Sequence, residues 1–153
     1  MGWKQDKYEL VHPEKYIGDA KKLIYKSSWE QDAFKVCDNN PYVLEWGYEI
    51  APIPYTIPGR TNPQTRVMKK YFPDLYIVTQ NAEGGITKWM IEIKPYKQTI
   101  PGRSRNPKTR MYEDYTYMVN QLKWQAAGLW CKERNIIFEV TTEKELFGNR
   151  SKR

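Results

Sequence analysis

Histidine is almost missing from this chain of 153 residues, which contains only His12. A single histidine cannot build a histidine-rich zinc site, and a Ser-His-Asp triad would have to use this one residue. Cysteine is scarce as well, since Cys37 and Cys131 are the only two and lack metal-ligand spacing. We therefore expect no role for His12, and two buried free thiols rather than a disulfide.

The chain also lacks long apolar runs. No stretch approaches the roughly 20 apolar residues that span a bilayer. Residues 1–7 lack the apolar core of a signal peptide. These absences predict a protein that works inside the cell, without a membrane among its partners. A nucleotide cofactor is not expected either.

Aromatic residues and positive charge, in contrast, are abundant. The chain contains 6 Trp, 12 Tyr and 4 Phe, which is atypical of a disordered protein. Its length predicts one domain with a single core. The formal charge of +7 and the pI near 9.3 favour a polyanionic partner, with nucleic acid as the first candidate.

Hydrophobic patterning predicts an α/β fold with the element order αβββαβ. An N-terminal arm over residues 1–26 is expected to precede a core domain over residues 27–147 and a basic tail over residues 148–153. The predicted elements are a helix at 28–39, strands at 43–50, 71–79 and 87–94, a helix at 109–132 and a strand at 136–140. A capping box at Thr142 and Glu145 predicts a short terminal helix.

Apolar spacing also predicts which side chains face the core. For the first helix these are Trp29, Ala33, Phe34 and Cys37. For the long helix they are Tyr115, Met118, Leu122, Ala126 and Leu129. For the first strand they are Leu44, Trp46, Tyr48 and Ile50. The arm is expected to pack through Trp3, Tyr8, Tyr16, Ile24 and Tyr25.

Two carboxylates and a lysine stand at the ends of two neighbouring apolar runs. Asp74 opens the first run, and Glu92 and Lys94 close the second. If the hairpin between them is centred on Glu83, Asp74 lies opposite Glu92 with the Cβ atoms about 4.5–5.5 Å apart. Lys94 then shares a face with Glu92. The pattern predicts a divalent metal site, with Asp74, Glu92 and the backbone carbonyl of Ile93 as ligands.

A simpler interpretation stands beside this one. A charged strand end also occurs where a strand only leaves the core, and the acid-x-Lys spacing recurs in Asp19-Ala20-Lys21. A register slip of one residue would move Asp74 to the opposite face and separate the two acids. The predicted site therefore depends on the hairpin register.

A near-repeat supplies many of the cations. Residues 56–66 (TIPGRTNPQTR) recur as residues 99–110 with one inserted residue. Because the first and third strands of a meander run in the same direction, both segments are expected to leave the sheet at the end that carries the acids. We expect them to grip DNA phosphates through Arg60, Arg66, Lys69, Lys70, Lys97, Arg103, Arg105, Lys108 and Arg110. The alternative is a pair of solvated connections.

These residue types suit the hydrolysis of phosphodiester bonds. The reaction requires an activated water, neutralisation of the phosphate and help for the leaving oxygen. Mg²⁺ held by carboxylates supplies much of this, with Mn²⁺ as a substitute, and a nearby lysine orients water or stabilises negative charge. Metal-assisted hydrolysis is the one reaction class for which the sequence holds a full set of parts.

Glu30 is a further candidate acid with two interpretations. Ser27 and Glu30 spell a capping box, in which Glu30 only reaches back to the helix start. Ser28 and Gln31 spell an alternative box, which would leave Glu30 free for the site. Both interpretations are open from the sequence.

Four stretches resemble a known family. They are residues 25–30 (YKSSWE), 71–74 (YFPD), 92–95 (EIKP) and 120–124 (NQLKW). Within the αβββαβ order they resemble the PD-(D/E)xK nuclease superfamily. The resemblance is greatest to the head-completion nucleases of T-even-like tailed phages, and TnsA-type transposon endonucleases are more distant. It implies a restriction-endonuclease-like core, with a mixed central sheet flanked by helices.

The resemblance also implies roles and partners. The implied catalytic set is Glu30, Asp74, Glu92 and Lys94, with Glu30 as an additional candidate ligand and Gln121 and Lys123 as weaker candidates. The implied function is a Mg²⁺-dependent endonuclease that cuts or trims packaged double-stranded DNA. Phage head or portal proteins would be its partners, in the host cytoplasm during assembly or in the virion. Two alternatives are a structural head-completion or portal-binding protein and a non-catalytic nucleic-acid-binding module.

Overall fold

The computed structural model describes residues 6–142. Its long helices are α1 (Ser28–Asn39) and α2 (Pro107–Glu133). Its strands are β1 (Asp6–Lys7), β2 (Ile24–Tyr25), β3 (Val43–Tyr48), β4 (Ile53–Pro58), β5 (Arg66–Tyr71), β6 (Leu75–Gln80), β7 (Ile86–Ile93) and β8 (Ile137–Thr141). Short 3₁₀ helices cover Pro13–Lys15, Ala20–Lys22 and Tyr96–Gln98. Trp3, the predicted terminal helix beyond Thr142 and the basic tail lie outside the described residues.

The central sheet has the strand order β3-β6-β7-β8. The pairs β3/β6 and β6/β7 are antiparallel, whereas β7/β8 is parallel. A parallel pair needs a long crossover, and α2 provides it between β7 and β8. The order α1-β3-β6-β7-α2-β8 confirms the predicted αβββαβ core with a mixed sheet. Neither α1 nor α2 of the described chain has an apolar stretch long enough to cross a membrane.

The hairpin β6–β7 has the predicted register. Leu75 pairs with Ile91, and Gln80 pairs with Ile86 at the turn. The Asn81 side chain closes this turn by accepting hydrogen bonds from the N–H groups of Glu83 at 3.0 Å and Gly85 at 2.7 Å. The pairing is centred on Glu83, so the next positions outward from Leu75 and Ile91 are 74 and 92.

An aromatic cluster holds the arm, α1 and β3 together. Phe34 and Trp46 are fully buried, and their ring centroids lie 5.5 Å apart. Tyr8 from the arm and Tyr48 from β3 contact Phe34 edge-on, at 5.7 and 4.9 Å. Such pairs contribute about 0.5–1.5 kcal/mol each beyond the area they bury. Cys37 beside this cluster is buried and free, as expected, and so is Cys131 on α2.

The predicted core positions of β3 are partly wrong. Leu44 is exposed, whereas Val43, Trp46 and Tyr48 are buried. The register of β3 against β6 shifts between Val43 and Glu45, which interrupts the strict alternation of faces. In the arm, Tyr8 and Tyr25 are buried as expected, but Ile24 is exposed.

The predicted apolar face of α2 is partly wrong. Tyr115, Met118 and Leu129 are exposed. The buried positions of the helix are Asn120, Ala127 and Cys131, and the predicted Ala126 packs against the cluster that contains Ala127. Small side chains at 127 and 131 let α2 lie close to β4 and β8, which are its main contacts. The three exposed residues are therefore not part of the core.

Strands β4 and β5 form a second hairpin that the sequence did not predict. They pair from Ile53↔Tyr71 to Pro58↔Arg66 as a separate two-stranded sheet. Ile53 and Tyr71 pack with Ala127 of α2 in a small second core. Residues 66–70 are all exposed, so β5 lacks the alternation that reveals a strand. The first copy of the near-repeat is therefore part of a hairpin and not an open loop.

A buried aspartate attaches the arm to the end of α1. Asp38 is completely buried. Its carboxylate accepts hydrogen bonds from the Tyr8 hydroxyl at 2.9 Å and from the N–H groups of Val11 at 2.7 Å and His12 at 2.9 Å. Lys15 donates to the backbone carbonyl of Asp38 at 2.9 Å. His12 contributes its backbone N–H to this contact.

We expect Asp38→Ala to lower the free energy of unfolding by about 3–5 kcal/mol, because three donors lose their acceptor. Tyr8→Phe removes one donor and its partner contact only, and should cost about 1 kcal/mol. Urea titrations of both variants measure the difference. A loss below about 1 kcal/mol for Asp38→Ala would show that the arm is held by its aromatic residues alone.

Candidate active site

Asp74 and Glu92 meet at the open end of the hairpin β6–β7. The Asp74 N–H donates to Glu92 Oε1 at 3.3 Å, and the Ile93 N–H donates to Asp74 Oδ2 at 2.7 Å. Each carboxylate is thus held by the backbone of the neighbouring strand. Glu92 is only 4% exposed. The structure therefore brings together the two acids that the hairpin register predicted.

The surroundings of both acids disfavour a negative charge. Burial raises the pKa of Asp74, and repulsion from Glu92 raises it further, against the hydrogen bond from Ile93. Burial also raises the pKa of Glu92, while the Lys94 ammonium lowers it in part. Two buried carboxylates at this separation oppose each other's ionisation. A bound cation would relieve both the burial and the repulsion.

Lys94 lies on the same side as Glu92, as the strand alternation predicted. Its Nζ is 3.4 Å from Glu92 Oε2. The Lys94 N–H donates to the Thr141 carbonyl of β8 at 2.9 Å, so its backbone is fixed to the parallel neighbour of β7. The lysine side chain is about a quarter exposed. Its ammonium group is therefore beside the acid pair and accessible to a substrate.

Glu30 caps its helix and also lies near the acid pair. Ser27 Oγ accepts from the Glu30 N–H at 3.1 Å, which makes Ser27 and not Ser28 the N-cap. Glu30 Oε1 accepts from the Lys26 N–H at 2.7 Å, and Oε2 accepts from the Tyr48 hydroxyl at 3.1 Å. Burial raises the pKa of Glu30, and the charge of Glu30 in turn raises the pKa of Asp74. The cap interpretation is thus correct, and it does not remove Glu30 from the neighbourhood of the site.

The oxygen atoms at this strand end suit a hard divalent cation. Within residues 6–142, no three His, Cys, Asp or Glu side chains form a metal-binding group. A smaller set of two carboxylates and a backbone carbonyl is available, however. In a strand the N–H and C=O of one residue point to the same side, and the Ile93 N–H points at Asp74. Mg²⁺ commonly binds one or two carboxylates and keeps several waters, so Asp74, Glu92 and the Ile93 carbonyl fit it.

Lys123 of α2 approaches the site from the second core. Its Nζ lies over the rings of Tyr71 at 5.6 Å and Tyr55 at 6.0 Å. Burial and the nearby Lys94 lower the pKa of Lys123, and Glu92 raises it. Lys123 therefore lies within electrostatic reach of both Lys94 and Glu92. The role of its neighbour Gln121, which is half-buried, stays a prediction.

The cations in and beside the near-repeat are exposed and lie in two different parts of the structure. Arg60 lies in the turn of the β4–β5 hairpin, and Arg66, Lys69 and Lys70 lie on β5, whereas the others follow β7 up to the first turn of α2. All the predicted DNA-binding residues are exposed, namely Arg60, Arg66, Lys69, Lys70, Lys97, Arg103, Arg105, Lys108 and Arg110. Because β3 and β7 run in the same direction, both segments do leave the central sheet at the end that carries the acids. Arg60, however, is separated from Tyr71 by the length of the hairpin strands, about 17–20 Å.

Glycine is required at the same place in both copies of the repeat. A Cβ on Gly59 would collide with the Thr65 side chain and come within 2.8 Å of the Asn62 carbonyl. A Cβ on Gly102 would come within 2.7 Å of Asp114 Oδ1, which accepts a hydrogen bond from the Gly102 N–H at 3.0 Å. The first contact closes a hairpin turn and the second ties a loop to α2. The repeated sequence therefore serves two different local structures.

Tyr71, Asn120 and Trp124 were not predicted as site residues. The hydroxyl of Tyr71 is near enough to Glu92 for that carboxylate to raise the pKa of Tyr71, after burial as the larger cause. Asn120 and Trp124 lie on the same face of α2 as Lys123. The stretches 71–74 and 120–124 contain all three residues, so their joint presence in the resemblance was the available signal.

Comparison with known proteins gives a consistent assignment. The family model described as "TnsA-like endonuclease N terminal" matches residues 40–143. The head completion nuclease of Enterobacteria phage T4 is 36% identical over 134 residues, which is 86% of this chain and 86% of the relative. No solved structure matches the chain. The chain belongs to the TnsA-like endonuclease N-terminal family of PD-(D/E)xK-type nucleases, and its mixed α/β core is restriction-endonuclease-like.

Proposed function

We propose that this chain is a metal-dependent DNA endonuclease that acts in phage head completion, where it cuts or trims packaged double-stranded DNA. The observation that carries the proposal is the meeting of Asp74, Glu92 and Lys94 at one strand end in a chain from an endonuclease family. The T4 relative, named a head completion nuclease, supports the biological setting. Phage head or portal proteins would then be the protein partners.

In this proposal Asp74, Glu92 and the Ile93 carbonyl hold Mg²⁺ or Mn²⁺, and Glu30 is an additional candidate ligand. When bound, the ion neutralises phosphate charge and lowers the pKa of a bound water. The two carboxylates are already fixed by backbone N–H groups, so they need little rearrangement to bind. In the hydrolysis, the water oxygen bonds to phosphorus, one P–O ester bond breaks and the leaving oxygen takes up a proton.

Lys94 provides a positive charge at the reacting phosphate. Its ammonium lies 3.4 Å from Glu92 Oε2. It is therefore beside the carboxylates that would hold the metal ion. We propose that it stabilises the negative charge that develops on the phosphate oxygens. A fixed donor of this kind typically contributes about 10²–10³ in rate.

The exposed cations hold the DNA backbone in this proposal. Arg103 and Arg105 lie in the segment between β7 and α2, and Lys108 lies in the first turn of α2. The Glu113 carboxylate is close to this segment, where it accepts hydrogen bonds from the backbone N–H groups of Arg103 and Ser104. Arg110 differs, since it pairs with Asp114 at 3.3 Å.

The enzyme proposal predicts metal-dependent cutting of linear and supercoiled DNA. We expect Asp74→Ala and Lys94→Ala to lower the cleavage rate about 10²-fold or more, since each removes a charge from the reacting centre. Glu45→Ala, which removes an exposed acid on β3, serves as the control and should cut like the parent. The assay follows cleavage with EDTA, Mg²⁺ or Mn²⁺. If the parent cuts DNA under none of these conditions, the proposal is wrong, and if Asp74→Ala cuts normally, the site lies elsewhere.

Metal binding can be tested without cleavage. Asp74→Asn keeps an acceptor for the Ile93 N–H but removes the repulsion with Glu92, so the metal-free variant should be as stable as the parent or more stable. Mg²⁺ at 100 times its dissociation constant should stabilise the parent by about 2.7 kcal/mol. Thermal unfolding with and without Mg²⁺ measures both effects, with Glu45→Gln as the matched control. Equal stabilisation of Asp74→Asn and the parent by Mg²⁺ would contradict the assigned ligands.

The phosphate contacts predict a salt dependence. Arg103→Ala or Arg105→Ala should weaken DNA binding and reduce the slope of log affinity against log salt by about 1, because one released counterion is lost. Lys88→Ala removes an exposed cation near the turn end of β7 and should leave the slope unchanged. Fluorescence anisotropy with a labelled duplex at several salt concentrations measures the slopes. An unchanged slope for both arginine variants would favour solvated loops.

A further inference from the structure

Three buried polar groups near the acid pair make no hydrogen bond of good geometry. They are the Tyr71 hydroxyl, the Asn120 side-chain NH₂ and the Trp124 indole N–H, counted over the described residues. Tyr71 is 5% exposed and Asn120 is 3% exposed. Leaving such a group unpaired costs about 1–3 kcal/mol. Several unmet donors in one place therefore indicate a ligand that supplies the missing acceptor atoms.

The three groups belong to one region. Asn120 and Trp124 are four residues apart on α2, which puts them on one face of the helix. Tyr71 and Trp124 pack in the second core. The Tyr71 hydroxyl lies close to both the Trp124 indole and the Glu92 carboxylate, although neither contact has full hydrogen-bond geometry. The Trp46 indole N–H is also unpaired, but Trp46 belongs to the first core. The three groups differ from the Trp46 indole because they lie together near Glu92.

Two lysines add positive charge to the same region. Lys123 lies over the Tyr71 ring at 5.6 Å and within electrostatic reach of Lys94. Lys94 is the one that pairs with Glu92, at 3.4 Å. Lys94 is thus already paired with a carboxylate, whereas Lys123 lies over an aromatic ring. The region combines donors that lack good hydrogen bonds with a lysine that can contact an anion.

We propose that Tyr71, Asn120, Lys123 and Trp124 form a phosphate-binding wall beside the acid pair. The wall would bind non-bridging oxygens of the DNA phosphate at the cleavage point, through the Tyr71 hydroxyl, the Trp124 and Asn120 N–H groups and the Lys123 ammonium. All four groups donate hydrogen bonds, and phosphate oxygens only accept them. The inference rests on the proposed function, because it names the residues that hold the substrate of that same site. Ordered water is the other occupant that such donors accept.

The sharpest variant is Tyr71→Phe. It removes the unpaired hydroxyl and keeps the ring under Lys123, so the free energy of unfolding should stay unchanged or increase. We expect its cleavage rate at saturating DNA to fall at least about 10-fold, which is the scale of one lost charge-stabilising hydrogen bond. Tyr55→Phe removes the hydroxyl of the other tyrosine under Lys123 and should cut like the parent. Stabilisation by Mg²⁺ should persist in both variants, since the acid pair is intact.

The lysine is tested by a matched pair of substitutions. Lys123→Met keeps the length of the side chain without its charge, whereas Lys123→Arg keeps the charge. We expect Lys123→Met to lose at least about 10-fold in cleavage rate and Lys123→Arg to retain most of it. If Tyr71→Phe and Lys123→Met cut within about threefold of a parent that cuts, the phosphate-binding wall is refuted while the endonuclease proposal stands. A loss of activity that follows a loss of stability would likewise refute it, because the residues would then be structural.

Binding separates the two proposals if the parent does not cut. A labelled short DNA duplex is titrated with each variant in the presence of Ca²⁺, and affinity is measured by anisotropy. Weaker binding by Tyr71→Phe and Lys123→Met, with Tyr55→Phe unchanged, would support the phosphate-binding wall even if the endonuclease proposal had failed. Equal affinities for all the variants would mean that water, and not phosphate, meets these donors, and would overturn the inference.

Discussion

The register of the hairpin β6–β7 is the constraint on which the candidate site depends. Leu75 pairs with Ile91, so Asp74 and Glu92 are the first positions beyond the paired strands and face one another. A slip of one residue would reverse the faces of the strand and bury polar side chains in the core. The apolar packing of Leu75, Ile77 and Ile91 thus specifies the geometry of two polar residues that it does not include.

Favourable packing is concentrated around the first core, whereas unfavourable burial of polar groups is concentrated at the candidate site. Around α1, β3 and the arm, aromatic rings pack closely, and the buried Asp38 has three donors for its carboxylate. At the strand ends that carry Asp74 and Glu92, the two acids repel each other and several nearby donors lack good hydrogen bonds. Functional sites typically carry such costs, and the rest of the fold offsets them. The stability of the first core is what allows the candidate site to stay preorganised for a ligand.

Local signals were sufficient for the helices and for the hairpin β6–β7. Helix α1 has an N-cap, an apolar face and a stop signal, and the turn at 81–85 sets the register by itself. Longer-range features were not predictable in this way. The exposed strand β5 has no apolar alternation. On α2, the large residues at 115 and 118 predicted a different buried face from the one that Ala127 and Cys131 form. The position of Glu30 near Asp74 was likewise not predictable from local sequence, because a capping box describes only the start of its own helix.

The inserted hairpin β4–β5 ends close to the acid pair. Its last residue, Tyr71, is three residues before Asp74, and the connection contains the exposed Phe72 and the buried Pro73. Its turn carries Arg60 about 17–20 Å away, a length that corresponds to about five or six phosphates along one DNA strand. In the proposed function, Arg60 would position the duplex away from the reacting centre. Groups at the base of the hairpin, next to Ala127 and Lys123 of α2, would contact the phosphate that is cut.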